Sequence, residues 1–244
     1  MQRIAARNYG LMLARLGKPV DRSDWCMAPQ TAGAVLMFQQ NSYNFSAALL
    51  QPPKFDPAAS DARNYGSIGA ILGHEMSHYV DLLGAEYEAS GNARRWWTAQ
   101  ELAQFDIASR PLVNQFSSYR PFASIPGAPG TADVAIDGKL TLSENIADLA
   151  GLSSAFDAHR IALGSKAADK EYVRRQDREF FIGWANAWRS KYRDAGLRKQ
   201  LANDHAPEAY RIATVRNIDA WYDAFDVQPG QRLYLEPAAR VRIW

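Results

Sequence analysis

The spacing of apolar residues predicts a mainly helical α+β chain whose few strands lie near its start. Apolar positions recur with a helical period over residues 1–17. Residues 30–50 instead hold short apolar runs around a polar break at 39–41, a pattern that predicts strands. From Ile68 to about Leu83 the pattern is helical and strongly apolar, which predicts a helix buried within the domain. Further helices are predicted at 97–108, 142–163, 169–194 and from 207–213 onward.

The remaining stretches predict irregular structure within one domain. Residues 120–138 are rich in proline and glycine, which predicts a long loop, and residues 226–244 are predicted to be irregular. No internal repeat divides the chain, and its 244 residues suit a single domain, 1–244.

Composition is that of an ordinary globular protein and excludes some partners. Hydrophobic residues make up 47% and charged residues 22% of the chain. The net charge is only +2 and no long basic run is present, so nucleic acid is not a predicted partner. No stretch approaches the roughly 18 apolar residues of a membrane span.

The cellular location is only weakly constrained. Cys26 is the single cysteine, so no intrachain disulfide can form, which fits a reducing compartment and also many bacterial periplasmic proteins. Arg15 and Lys18 interrupt any signal-like apolar core near the start. The chain as printed therefore carries no export signal, which favours a cytoplasmic location.

The most informative motif is His74-Glu75-Met76-Ser77-His78, an H-E-x-x-H pattern in the predicted buried helix. Residues four apart lie on one helical face, so both imidazoles can bind one metal ion at about 2.0–2.1 Å. Glu75 lies beside that face, where it can take a proton from zinc-bound water. The alternative is a pair of surface histidines, but a helix this apolar requires partners for its charged residues.

A catalytic zinc needs a third protein ligand, and the sequence offers Glu144. Glu144 and Asp148 lie four residues apart on one face of an apolar helix that Thr141 or Ser143 can cap. Two like charges in this arrangement repel each other unless both face a positive group. We predict that Glu144 binds the metal, while Asp148 and Asp81 each orient one ligand histidine through a hydrogen bond.

Together these residues resemble the neprilysin-like (M13) family of zinc endopeptidases. The resemblance covers nearly the whole chain and implies a thermolysin-like zincin lobe with a small sheet near its start and one Zn²⁺ per chain. The matching motifs, in chain order, are Trp25 to Thr31, Leu50 to Pro53, Asn64 to Gly69, Gly73 to Asp81, Trp96 to Thr98, Gly138 to Asp148, His205 to Pro207 and Arg242 to Trp244.

The resemblance also implies a role for each matching residue. The zinc ligands are His74, His78 and Glu144, the general base is Glu75, and the residues that support the histidines are Asp81 and Asp148. His205 resembles the histidine that stabilises the oxyanion of the tetrahedral intermediate, and Arg211 the arginine that binds a substrate carbonyl. Without the family, His205 fits a solvated histidine and Arg211 a surface salt bridge. His159 matches no role and is predicted to lie on a helix surface.

Two positions depart from the family pattern. Gly33-Ala34-Val35-Leu36 stands where the family carries Asn-Ala-aromatic-Tyr, so the main chain of Gly33 and Ala34 alone would bind the substrate backbone. Lys54 stands where an aromatic residue usually follows Pro-Pro, near the pocket for the residue after the scissile bond. A lysine there either favours acidic substrates or points to solvent.

The family usually carries a large helical N-terminal lobe over the catalytic chamber, and this lobe is absent from the chain as printed. Three explanations are open: a second polypeptide supplies the lobe, the lobe has been removed, or the cleft is uncovered. An uncovered lobe exposes apolar surface, so we predict a partner chain or a homodimer that covers the cleft.

The leading hypothesis is a zinc-dependent hydrolase of peptide bonds with Glu75 as general base. One alternative is a biosynthetic amide or peptide hydrolase with a single narrow substrate, which the departures at Gly33 to Leu36 and Lys54 would suit. Another is a non-catalytic, zinc-stabilised binding subunit. Structural zinc requires neither a base nor an oxyanion donor, so the presence of Glu75 and His205 favours an enzyme.

Overall fold

The computed structural model describes residues 2–123 and 134–243 and confirms a mainly helical α+β fold with one small β-hairpin. The strands are β1 (Ala34–Met37) and β2 (Ser42–Phe45). The α-helices of the described residues are α1 (Gln2–Leu13), α2 (Asp61–Asn64), α3 (Ala70–Ser77), α4 (Ala99–Ser117), α5 (Leu142–Ala162), α6 (Lys170–Ala187), α7 (Asp194–Gln200), α8 (Glu208–Ile212) and α9 (Asp219–Phe225). Within these residues, no helix combines the length and hydropathy needed to cross a membrane.

The hairpin confirms the first predicted strand and the polar break, but β2 ends at Phe45, where the second apolar run begins, and residues 46–50 form no strand. β1 and β2 pair antiparallel, with Ala34 opposite Phe45 and Met37 opposite Ser42. A 3-10 turn joins them and ends at Asn41, which adopts the left-handed conformation at φ 48°. Asparagine tolerates this conformation better than most residues, so the polar break is where the chain can reverse.

The helical stretch that carries the H-E-x-x-H motif begins earlier than the apolar pattern predicts. The Ser60 side chain accepts a hydrogen bond from the Arg63 N–H and caps α2. A π-helical turn, Tyr65–Gly69, then leads into α3, and a 3-10 turn, His78–Val80, follows it. A serine cap determines this start, and apolar periodicity does not detect caps.

Two glycines allow α3 to lie directly against α5. A Cβ atom added at Gly73 would lie 2.9 Å from the Gly151 Cα, and one added at Gly151 would lie 2.4 Å from Ala70 O and His74 N. Because a side chain at either position would overlap the facing helix, glycine permits the close approach. This packing brings the motif face of α3 beside the first turns of α5.

We expect Gly151→Ala to destabilise the chain, because the added methyl group must push α5 away from α3. Overpacking of this kind costs about 1–3 kcal/mol. Thermal unfolding followed by circular dichroism measures the effect. Gly10→Ala is the control, since a Cβ at Gly10 meets nothing within 4 Å. An unchanged Tm for Gly151→Ala would contradict the close helix packing.

Two apolar clusters hold α5 in place. Trp184 of α6 is fully buried and belongs to the same cluster as Leu152 of α5. Phe116 of α4 belongs to a second cluster with Ile146, which lies on the first turns of α5. The start of α5, which carries Glu144, is therefore held in a rigid core.

Several element boundaries differ from the predictions. α4 continues through Pro111 to Ser117 because Leu112 and Phe116 pack in the core. The helix predicted to span 169–194 ends at Ala187, and α7 follows as a separate helix that the pattern did not predict. Residues 124–133 of the predicted loop lie outside the described part of the chain, as does Trp244.

The prediction that His159 lies on a helix surface is wrong. Its relative exposure is 2%, and its ring stacks on Phe180 with centroids 5.5 Å apart. The aromatic ring of Phe180 on α6 covers this side of α5, so His159 is buried although its neighbours Asp157 and Arg160 are exposed. His159 Nε2 lies 3.7 Å from a carboxylate oxygen of Asp177, which is also buried.

Candidate metal centre and active site

Three potential metal-binding side chains converge where α3 packs on α5. His74 Nε2 lies 3.2 Å from His78 Nε2. Glu144 Oε2 lies 3.1 Å from the first nitrogen and 3.7 Å from the second. All three residues are buried. The structure thus brings together the three residues that the sequence analysis predicts as ligands.

The spacing of these atoms fits a tetrahedral metal ion. Two ligand atoms that lie 2.0–2.1 Å from a tetrahedral zinc are roughly 3.3 Å apart, which is close to the separations of these three atoms. Glu144 Oε2 is buried, and none of its contacts has the geometry of a hydrogen bond. A cation between the three side chains would satisfy this oxygen. Two imidazoles and one carboxylate are a ligand set that suits zinc.

A carboxylate holds the far ring nitrogen of each histidine. Asp148 Oδ1 lies 2.9 Å from His74 Nδ1, and Asp81 Oδ2 lies 2.7 Å from His78 Nδ1. A proton on Nδ1 makes both hydrogen bonds and leaves each Nε2 with a lone pair that faces the proposed metal position. Both aspartates are therefore placed as the sequence analysis predicts.

The buried charges of this group alter one another's pKa. Burial disfavours the charged form of His74, but the nearby carboxylates of Asp148 and Glu144 outweigh burial and raise its pKa to about 9. Burial would raise the pKa of Glu144, but His205 and His74 outweigh burial and hold it well below its usual value. A metal ion at this position must therefore displace a proton from His74.

Glu75 lies beside the ligand histidines and is 8% exposed. Burial raises its pKa, although His74 and His78 oppose the change. A backbone hydrogen bond from Leu36 on β1 also lowers the pKa, so the carboxylate lies between α3 and the hairpin. A partly buried carboxylate with a raised pKa is suited to accept and return a proton.

His205 reaches the same group from the loop between α7 and α8. Its Nε2 lies 2.9 Å from Glu144 Oε2, and its Nδ1 lies 2.8 Å from Asp204 Oδ1. Burial lowers the pKa of His205, but Glu144 and then Asp204 outweigh burial and raise it. A charged imidazole can donate a hydrogen bond to an oxyanion. The His205 side chain is 38% exposed, so it remains in contact with solvent while its ring reaches Glu144.

Arg211 is buried behind His74 rather than in a surface salt bridge. Its Nε and Nη2 donate to the two carboxylate oxygens of Asp148 at 2.8 and 2.7 Å. Its Nη1 has no hydrogen-bond partner among the described residues and remains available to a ligand. Asp148 thus joins Arg211 to His74, so the guanidinium and the predicted metal ligand are held in one network.

The two strand residues predicted to bind substrate differ in their surroundings. The Gly33 N–H donates to Ser46 Oγ, and the Gly33 carbonyl accepts from the Ser46 N–H, both at 3.2 Å. The main chain of Gly33 is therefore already paired. Ala34 lies on β1, which pairs with β2 on one side and has no other strand beside it in the described residues. The other edge of β1 can accept an extended peptide.

The sequence analysis left open whether Lys54 favours acidic substrates or points to solvent, and the structure holds its ammonium group against protein atoms. Lys54 Nζ lies 3.8 Å from the ring centroid of Trp188 and donates a hydrogen bond to the Ala187 carbonyl.

Sequence reasoning missed two contacts near the metal group. Ser143, taken as a possible helix cap, instead donates to Asp81 Oδ2, while the Leu83 and Gly84 N–H groups donate to Asp81 Oδ1. Trp188 stacks on the Arg211 guanidinium. The contacts of Ser143 with Asp81 and of Trp188 with Arg211 have no signal in local spacing, because each joins residues far apart in the sequence.

Known proteins resemble this chain in sequence and in structure. A family model described as peptidase family M13 matches residues 34–241. Neutral endopeptidase of Lactobacillus helveticus is 35% identical over 96% of this chain, and neprilysin-3 of Drosophila melanogaster is 31% identical over 99% of it. The alignments cover 33% and 30% of those proteins, so this chain spans about a third of their length.

Two solved structures superpose on most of the chain. An inhibitor complex of the zinc metalloprotease Zmp1 of Mycobacterium tuberculosis gives a TM-score of 0.85 at 40% identity, over 97% of this chain and 36% of that one. PepO from Lactobacillus rhamnosis HN001 gives a TM-score of 0.78 at 34% identity, over 93% of this chain and 33% of that one.

Proposed function

Since this chain belongs to peptidase family M13, we propose that it is a zinc-dependent metalloendopeptidase that hydrolyses peptide bonds. The observation that carries the proposal is the convergence of the His74 and His78 Nε2 atoms with Glu144 Oε2, beside the buried carboxylate of Glu75. The three ligand residues alone would suit a structural zinc. Glu75, a potential base beside them, favours hydrolysis.

Each residue of the site has a proposed task. His74, His78 and Glu144 would hold one zinc ion, which when bound polarises the substrate carbonyl and lowers the pKa of the attacking water. Glu75 takes a proton from this water and returns it to the leaving amine. His205 donates to the oxyanion that develops on the carbonyl oxygen, and Arg211 donates from Nη1 to a substrate carbonyl.

Removal of the metal is expected to abolish peptide hydrolysis, and added zinc is expected to restore it. The purified chain should contain one zinc by mass spectrometry and should cleave a fluorogenic peptide mixture. Treatment with 1,10-phenanthroline should stop cleavage. Magnesium is the control for add-back, because it prefers oxygen ligands and should not restore activity. A chain that holds no zinc, or that cleaves peptides equally well after chelation, would contradict the proposal.

The same experiment separates the alternatives. Bound zinc without cleavage of any generic peptide would favour a biosynthetic hydrolase with one narrow substrate, a non-catalytic binding subunit, or a requirement for a further chain. The relatives are about three times as long, and apolar Met76 and Leu83 are 57% and 52% exposed. We propose that a partner chain or a second copy covers such surface, and activity that appears only on addition of a partner would support this.

A further inference from the structure

Lys54 and Arg211 both lie against one indole ring. Lys54 Nζ is 3.8 Å and Arg211 Cζ is 3.6 Å from the ring centroid of Trp188. Trp188 and Lys54 are both partly exposed, whereas Arg211 is buried. Lys54 is thus the outer cation of a stack that leads inward to Asp148 and His74.

The two cations differ in how their charge is balanced. Arg211 forms a bidentate pair with Asp148. Lys54 has no carboxylate within ion-pair distance in the described residues. Glu208 faces the same region, but its carboxylate accepts hydrogen bonds from Tyr192 and Ser190 and acts on Lys54 only at longer range.

The ammonium group of Lys54 also has unused donors. An ammonium carries three N–H groups, and the contact with the Ala187 carbonyl uses one of them. Ala187 is the last residue of α6, so this contact alone fits a lysine that stabilises a helix C-terminus. A helix-stabilising role does not account for the two remaining N–H donors of Lys54 or for its unbalanced charge.

We propose that Lys54 determines substrate specificity by binding a carboxylate of the peptide, on the Arg211 side of the scissile bond. The carboxylate belongs either to an acidic side chain or to the C-terminus of the peptide. The inference rests on the proposed peptidase function and names the class of peptide that the site prefers. A substrate carboxylate would balance the charge of Lys54 and accept its free N–H groups.

Matched peptides measure this preference. Fluorescent peptides carry glutamate or glutamine at each position in turn, and one further pair differs only in a free or an amidated C-terminus. Binding to the zinc-loaded Glu75→Gln chain is followed by anisotropy, and cleavage is measured with the unsubstituted chain. We expect the acidic peptide to bind at least about 10-fold more tightly than its neutral match at one position, because hydrogen bonds between charged groups are the strong ones.

Variants of Lys54 show whether this residue carries the preference. Lys54→Met should reduce the ratio of acidic to neutral affinity to about one, and Lys54→Arg should retain the ratio. Lys191→Met, which removes an exposed lysine, is the control and should leave the ratio unchanged. A merely structural lysine would change the unfolding of the chain and not this ratio.

The ratio should also depend on pH. Burial, together with repulsion from Arg211, lowers the pKa of Lys54 to about 8, while Glu208 and Asp148 oppose the change. The ammonium is charged below this value, so the preference should be complete near pH 6.5 and should weaken above pH 8. Groups whose titration changes the affinity for both peptides equally do not change the ratio of the two affinities.

Different results test the role of Lys54 and the proposed peptide hydrolysis. Equal binding of acidic and neutral peptides at every position, an acidic preference that persists in Lys54→Met, or no peptide binding at all would overturn the role of Lys54. A Lys54-dependent binding preference without cleavage by the unsubstituted chain would support the role and contradict the proposed hydrolysis.

Discussion

Replacement of Glu75 by glutamine is expected to lower kcat for peptide hydrolysis by about 100- to 10,000-fold while zinc stays bound. Glutamine has nearly the same shape as glutamate but cannot accept the proton of the attacking water. Glu75 is not one of the three residues that could hold the metal, which are His74, His78 and Glu144, so zinc binding should be unchanged. Loss of turnover with retained zinc therefore identifies a base rather than a ligand.

Three measurements define the result. Zinc content is determined by mass spectrometry, kcat and KM with a fluorogenic peptide, and folding by circular dichroism. Glu171→Gln is the matched control, because Glu171 is an exposed glutamate at the start of α6. Glu75→Gln with full activity would rule out the proposed mechanism, and Glu75→Gln without zinc would assign the residue to metal binding instead.

Local spacing was sufficient to predict the part of the site that lies on single helices. His74 and His78 share a face because they are four residues apart, and Glu144 and Asp148 share a face for the same reason. That the two faces meet follows from the close contact of Gly73 with Gly151, which joins positions far apart in the sequence. The family resemblance supplied that long-range information, which periodicity cannot contain.

The contacts that sequence reasoning missed all depend on tertiary packing. The position of Ser143 suggests a helix cap, yet its hydroxyl donates to Asp81 across the α3–α5 contact. Lys54 contacts the ring of Trp188, 134 positions further along the chain, and donates a hydrogen bond to the Ala187 carbonyl beside it; no sequence motif joins these residues. Such contacts follow from how helices pack, and one sequence does not determine packing by its pattern alone.

The errors in the fold have a similar cause. The sequence analysis places His159 on the helix surface because it matches no role in the family, but α6 packs there and buries the ring against Phe180. The pattern also ends α4 early, since it does not contain the core contacts of Phe116 beyond Pro111. Tertiary contacts override local preference in both places.

Asp148→Asn is expected to weaken both the fold and the metal site. Asp148 and Arg211 are 1% and 6% exposed, and the carboxylate forms a bidentate pair with the guanidinium. Asparagine removes the negative charge and leaves Arg211 as a buried cation without a counter-ion. Breaking one side of a buried pair in this way costs about 3–5 kcal/mol of unfolding free energy.

The same substitution should raise the Kd for zinc by about 10- to 100-fold, because Asp148 also orients His74 through Nδ1. Burial would raise the pKa of Asp148, but Arg211 and then His74 outweigh burial and lower it in the folded chain. A carboxylate with a lowered pKa stabilises the fold fully above its unfolded value, near 3.9, and loses this contribution as the pH falls through the folded value. The difference between the unsubstituted chain and Asp148→Asn should therefore be complete at pH 7 and shrink only in strong acid.

Urea unfolding in the presence of a chelator separates the two effects of Asp148→Asn, since it measures the fold without the metal. Asp157→Asn is the matched control, because Asp157 is an exposed aspartate on the same helix, and it should change stability by less than about 0.5 kcal/mol. The double variant Asp148→Asn, Arg211→Met should be less destabilised than the sum of the single variants, since it leaves no unpaired charge. Additive effects, or an Asp148→Asn chain as stable as the control, would show that the pair between Asp148 and Arg211 does not hold the site together.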